Sequence, residues 1–336
     1  MRASRVWTHL AFDRPGKHAG HVHVPNSVHR SAYGTLALPC GIINNGTGPT
    51  VLLMGGVHGD EYEAQVAFGR LFRAIRVDSV HGRLIFFPSV NLPATVAHTR
   101  TSPLDGLNLN RIFPGDPDGS VSEQIAYFIE TVLAPMADVW FDFHSGGTSL
   151  DYLPLAARHT SADAEINSRT AALLDAFGAS LSMVWDFFDE PRMAKGCAER
   201  NGVVYLASEF GGGGTTSIEG TDICFDGSVR ALVHLGVLDP EAIKVSPPAV
   251  GGKTVTVRSR DDHIHATCAG IFAPSRPLGA EIAAGEQIGE IVQLDRLDAE
   301  PEPVISATSG LLVCLRHPAQ VERGDCVAHL AGNVKP

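Results

Sequence analysis

The stretch that decides the fold reads Thr50-Val51-Leu52-Leu53-Met54-Gly55-Gly56-Val57-His58-Gly59-Asp60-Glu61. Its first five residues form a short apolar run after Gly48-Pro49 and before Gly55-Gly56, the pattern of a buried strand. Behind it, Ala64, Ala67, Phe68, Leu71, Phe72 and Ile75 recur at helical spacing, which predicts an amphipathic helix over Glu61–Ile75. A strand running through a glycine turn into a helix is the elementary unit of an α/β domain.

The unit repeats along the chain. Arg83–Val90, Val139–Phe143 and Val203–Ala207 read as further strands. Ser122–Leu133, with Ser122 as its N-cap, Ala162–Phe177 and Gly227–Leu238 read as helices between and after them. This alternation predicts a largely parallel sheet. Beyond Asp239-Pro240 the character changes. A Pro/Gly-rich seam containing Ser246-Pro247-Pro248-Ala249-Val250-Gly251-Gly252 gives way to short β-runs at Thr254–Arg258, His265–Ala273, Gln287–Val292, Gly310–Leu315 and Cys326–Leu330. We therefore expect a catalytic α/β domain over 1–247 and a small all-β module over 248–336. Two Gly-acidic turns in that module, at Gly285-Glu286 and Gly324-Asp325, resemble those of a barrel-sandwich fold.

A chain of 336 residues is long enough for about two domains. Its 44% apolar and 19% charged content is globular in character. The net charge of −11 argues against a protein that holds nucleic acid by neutralising phosphates. No run approaches the ~18 apolar residues of a membrane span, and no signal peptide is recognisable at the N-terminus. Six cysteines without a CxxC pair suggest neither a disulfide framework nor a thiolate zinc site, so a reduced, cytoplasmic setting is expected. The oligomeric state stays open, a homo-oligomer included.

Three strands end alike. TVLLM delivers His58 and Glu61, VWFDF delivers His144, and VVYLA delivers Glu209, each into a Gly-rich loop. In α/β sheets the crevice outside the strands' carboxyl ends is where ligands bind. His58 and Glu61 are spaced H-x-x-E, which places both on one face of a helix's first turn. With His144 they make a His₂Glu set, a catalytic zinc arrangement with one position open. H-x-x-E alone is common by chance; three Gly-flanked strand ends together are not. Glu209 is then the general base toward the attacking water and the acid toward the leaving nitrogen. The plain alternative is a buried carboxylate paired with an arginine. In Asn108-Leu109-Asn110-Arg111-Ile112-Phe113-Pro114-Gly115, Arg111 can hold a substrate carboxylate in a bidentate fork with Asn110 beside it. Arg100 is a candidate to stabilise an oxyanion, or an ordinary surface charge. Asp142 can brace His144 from behind, or merely fill a polar gap. His263 and His265 form H-x-H in the β module and are read as structural, as are His21 and His23.

These motifs closely resemble those of the aspartoacylase/succinylglutamate desuccinylase family, relatives of the zinc carboxypeptidases. The matching stretches are GGVHGDE at 55–61, NLNRIFPG at 108–115, FDFHSGG at 141–147 and SEFGGGG at 208–214. The resemblance implies a zinc-carboxypeptidase-like mixed sheet flanked by helices, with a small C-terminal all-β module. It implies one Zn²⁺ per chain on His58, Glu61 and His144, with Glu209 catalytic, and Asn110 and Arg111 on the substrate carboxylate. Arg100 transfers less directly, because its spacing to Asn110-Arg111 matches a bacterial subgroup rather than aspartoacylase itself. Val24-Pro25-Asn26-Ser27, HGDEYE at 58–63 and RTSPLDGLNLNR at 100–111 look most like the N-acetyl-diaminobutyrate deacetylases of ectoine degradation. The chain departs from that subgroup at Val57, where Asn is usual, and at Ala64, where Gly is usual. The implied activity is hydrolysis of a small N-acyl amino acid. A zinc carboxypeptidase acting on peptides and a non-enzymatic binding module remain the alternatives.

Overall fold

The structure is a computed structural model that describes residues 2–186, 190–296 and 298–333. Its spine is a large mixed sheet whose centre holds the strands of the repeated unit. Arg83–Phe87, Thr50–Met54, Val139–His144 and Val204–Glu209 lie side by side and parallel. All five residues of Thr50–Met54 and all six of Val139–His144 are buried, as strands covered on both faces must be.

The sheet is parallel only in this centre. On one side the long hairpin Gly16–Pro25/Thr35–Asn44 adds antiparallel to Arg83–Phe87. On the other, Leu155–His159 runs antiparallel to Val204–Glu209, then Leu181–Trp185 and Lys253–Val257 follow in parallel. Cys326–Asn333 and Gly310–Arg316 carry the same sheet into the C-terminal region. A second, antiparallel sheet of Gln287–Val292, Gly270–Pro274, Glu302–Ile305 and Gln320–Val321 stands apart there. The C-terminal strands are thus partly continuous with the central sheet. Leu150–Tyr152, from the earlier part of the chain, pairs with Gly310–Arg316 and adds a further tie.

All four predicted helix starts move, most of all the last, which runs Ile218–His234 rather than Gly227–Leu238. The first helix spans Glu63–Ala74, so His58 and Glu61 lie in the turn ahead of it rather than on its first turn. That turn is held open by contact: a Cβ on Gly59 would come within 1.9 Å of the Ala94 carbonyl carbon. The helix ahead of the third predicted strand spans Val121–Phe128 and is capped by Ser120, with Glu123 completing the capping box. Ser122 is instead buried, its N–H and hydroxyl both on Asp105.

Side-chain alternation splits the core between the sheet's two faces. On one face, Glu63–Ala74, Ala164–Phe177 and Ile218–His234 cover Leu53, Phe141 and Phe143. On the other, Trp140, Leu109, Ile125 and Cys197 pack with Val255, Val313 and Ala331 of the C-terminal strands. Phe143 anchors the first face, its ring 5.3–5.6 Å from the rings of Phe68, Phe141, Phe177 and Phe210. Because Phe143 points into this core, the next residue, His144, points to the opposite side. Phe143→Ala is expected to lower the unfolding free energy by about 3–5 kcal/mol in urea denaturation. A loss under about 1 kcal/mol would mean that this cluster does not anchor the strand.

Candidate metal centre

At the carboxyl ends of the central strands, His58, Glu61 and His144 meet. Each is nearly sealed from solvent, at 3%, 3% and 8% exposure. His58 Nδ1 lies 2.7 Å from Glu61 Oε1, and His144 Nδ1 lies 2.7 Å from Glu61 Oε2. One donor atom from each of the three falls within 4.8 Å of the others. The outward nitrogens are anchored too. His58 Nε2 is 3.1 Å from Asn108 Oδ1, and His144 Nε2 is 3.2 Å from Asp142 Oδ2. With those oxygens accepting from Nε2–H, a bound ion would take the Nδ1 lone pairs and displace any proton that Nδ1 shares with Glu61. Neutral imidazoles braced from behind, with a carboxylate between them, are the donor set of a divalent cation of borderline softness. The residues therefore fit such an ion.

The electrostatics follow from burial and mutual contact. Burial alone would raise the Glu61 carboxyl, but the two imidazoles hold it far below the usual carboxylate range. Burial would lower His144, yet the Asp142 and Glu61 carboxylates outweigh it and lift the imidazole. His58 is lowered, chiefly by burial. Glu209 stands beside His144 on the adjacent strand, in register with it. Burial, then the charge of Glu61, pushes its carboxyl up to about 8. Its Oε2 is shut off from solvent with no hydrogen-bond partner among the described residues. Such a carboxyl readily exchanges a proton near neutral pH.

All seven predicted site residues line one cavity of about 370 Å³: His58, Glu61, Arg100, Asn110, Arg111, His144 and Glu209. Arg100, 44% exposed at its side chain, brings Nη1 to 3.3 Å from both Glu61 Oε1 and His58 Nδ1. Arg111 donates from Nη1 to the Asn110 carbonyl at 2.6 Å, and burial lowers its pKa. The Asn110 side-chain oxygen accepts from the Ala194 N–H at 2.8 Å.

Several contributors carry no role in the sequence reading. Asn108 braces His58 while its Oδ1 also accepts from the Asn110 N–H at 2.9 Å, so one side chain ties two motifs together. Its place in Asn-x-Asn-Arg is the only signal in the sequence. Glu63, fully buried, accepts from Ser145 Oγ at 2.5 Å and from the Ser217 N–H at 2.8 Å, tying together the loops that follow His144 and Glu209. Tyr205 donates to Asp142 Oδ2 at 2.6 Å. His263 reaches the cavity wall with His329, whereas its H-x-H partner His265 is exposed. Burial, ring stacking and distant partners of this kind leave no trace in local sequence.

Comparisons with known proteins point to one family. A sequence profile described as the succinylglutamate desuccinylase/aspartoacylase catalytic domain matches residues 47–235. The N-alpha-acetyl-L-2,4-diaminobutyric acid deacetylase of Halomonas elongata is 37% identical over 331 residues, covering 98% of this chain and 96% of its own. The product-bound ectoine utilization protein EutE (DoeB) of Ruegeria pomeroyi superimposes with a TM-score of 0.93 at 36% identity, covering 99% of this chain and all of its own. A succinylglutamate desuccinylase/aspartoacylase from Rhodobacter sphaeroides gives 0.92 at 38% identity, covering 98% and 100%. No helix among the described residues is long and apolar enough to cross a membrane.

If Asp142 and Asn108 orient the ligand imidazoles, Asp142→Asn and Asn108→Ala each weaken binding of a divalent ion roughly 10–100-fold. Competition against a chromogenic chelator measures this. Unchanged affinity in both variants would contradict the bracing role.

Proposed function

The chain belongs to the succinylglutamate desuccinylase/aspartoacylase family, and from that premise we propose that it is a zinc-dependent deacylase. Its substrate is a small N-acyl amino acid, with N-acetyl-diaminobutyrate the leading candidate. The observation that carries the reading is the convergence, in one cavity, of the His58/Glu61/His144 donors, the Glu209 carboxyl and two arginines. The kinship with the Halomonas deacetylase over nearly the full chain supports the choice of substrate.

Zinc held by His58, Glu61 and His144 would polarise the acyl carbonyl and lower the pKa of water beside it. The chain's own groups do the rest. Glu209 takes a proton from the water that attacks the acyl carbon and passes it to the leaving amine nitrogen. Arg100 faces the negative charge that develops on the carbonyl oxygen. Arg111 grips the substrate carboxylate with a planar fork, and Asn110, its oxygen engaged by Ala194, offers its amide N–H groups. Holding the carboxylate fixes the amide's position, so binding energy is spent on orientation.

The division of labour follows the sequence seam. Residues 1–247 supply the metal donors, Glu209 and the arginines, and residues 248–336 close the far wall through His263 and His329. A cavity of about 370 Å³ lies near the lower end of small-molecule sites. It has room for one acylated amino acid, the substrate class proposed here.

Metal-loaded protein is expected to hydrolyse N-acetyl-diaminobutyrate and to leave a blocked dipeptide intact. Glu209→Gln should lose roughly 10²–10⁴-fold in kcat while keeping its metal. Hydrolysis of the dipeptide alone, or full activity in Glu209→Gln, would overturn the reading.

A further inference from the structure

Two walls of the cavity differ in charge, and the mechanism above uses only one of them. On the first, His159 stacks on Trp185 with ring centroids 4.9 Å apart and lies 6.2 Å from the Tyr205 ring. Arg111 lies near this wall, and Asp142 accepts from Tyr205 behind it. Arg111 acts on Tyr205, and Lys195 adds to burial in driving His159 down to about 3. A substrate carboxylate belongs here.

A second wall comes from the C-terminal strands. His263 and His329, neighbours across a β-ladder, stack with centroids 4.1 Å apart and planes 17° from parallel. His329 is 1% exposed. Its Nδ1 lies 3.4 Å from the Tyr152 hydroxyl, while its Nε2 is buried with no partner among the described residues. Burial, then His263, holds His329 in its neutral form, down to about 3. Tightly stacked imidazoles cannot both be charged, and in the tautomer whose Nδ1–H donates to the Tyr152 hydroxyl, His329 keeps an acceptor lone pair on Nε2. The acidic groups near this wall are Glu209, whose charge is felt at the Tyr152 phenol, and Asp262, which is felt at both imidazoles and is itself ion-paired to Arg258 at 2.7 Å. A cation would find a lone pair, two π-faces and nearby carboxylates.

We propose that His329 Nε2, held by Tyr152 and by stacking on His263, accepts a hydrogen bond from the side-chain ammonium of the substrate. The enzyme is then selective for zwitterionic acyl amino acids, with carboxylate on the Arg111 wall and ammonium on the imidazole wall. The inference rests on the deacylase reading for the word substrate, but the subsite itself can be read by binding alone.

The probe is a pair of isosteres. L-2,4-diaminobutyrate and L-norvaline differ only in a terminal ammonium against a methyl. Calorimetry on the zinc-loaded protein is expected to show tighter binding of diaminobutyrate by about tenfold or more, the size of one charge-assisted hydrogen bond. His329→Phe, checked for melting temperature and metal content, should bind the two alike, and His329→Gln, which retains an acceptor, should keep part of the preference. Tyr152→Phe, which frees the imidazole to turn, should lower the preference and serves if His329→Phe does not fold. Equal binding by the unaltered protein, or a preference untouched in His329→Phe or Tyr152→Phe, would overturn the proposal. Hydrolysis separates the two readings. Selective binding of diaminobutyrate without cleavage of any N-acyl amino acid keeps the subsite and removes the deacylase. Equal cleavage of N-acetyl-diaminobutyrate and N-acetylnorvaline removes the subsite and keeps the deacylase.

Discussion

A single carboxylate shared between two imidazoles sets the terms for the rest of the molecule. Glu61 touches His58 with one oxygen and His144 with the other, and all three side chains are buried. Burying a carboxylate costs several kcal/mol unless partners neutralise it. The fold supplies those partners from three places: the turn after one strand, the end of the next, and Arg100 from a separate loop. The parallel register of Val139–His144 against both Thr50–Met54 and Val204–Glu209 places these ends level with one another. A cation fits the same point because the arrangement already gathers negative charge and lone pairs out of water.

The supports reach outward in layers. Asn108 and Asp142 hold the far side of each imidazole, and Tyr205 holds Asp142 in turn. Glu63 ties the loop after His144 to the start of the last long helix. Glycines let these loops meet at backbone distance. A Cβ on Gly212 would come within 2.0 Å of the Leu150 carbonyl oxygen, and Leu150 begins the strand that carries Tyr152 to the cavity wall. That strand pairs with Gly310–Arg316, so the catalytic end and the C-terminal wall share backbone hydrogen bonds. The same sheet that gathers His58, Glu61 and His144 therefore also walls the cavity.

How much of this was legible in the sequence depended on range. Thr50–Met54 and Val139–His144 announce themselves as apolar runs ended by glycine, and the His and Glu residues that follow them are visible at once. Where a local signal competes with a distant contact, reading fails. The H-x-x-E spacing suggests a helix face, yet Gly59 lies against Ala94, and the helix begins only at Glu63. Ser122 looks like a cap, but Asp105 takes it and Ser120 caps instead. The outer hairpin and the reversed Leu155–His159 strand turn a parallel pattern into a mixed sheet, because edge pairing is decided by neighbours remote in sequence. His263 and His329 are invisible as a pair for the same reason: only the ladder between their strands stacks them.

The central claim is that a metal held by His58, Glu61 and His144 is required for amide hydrolysis in this cavity. Stepwise chelation, with metal content and the rate of N-acetyl-diaminobutyrate hydrolysis followed on the same samples, tests it most directly. The account predicts that the rate falls in proportion to bound metal and returns when one equivalent of zinc per chain is restored. Hydrolysis that persists at full rate after the metal is gone would contradict it.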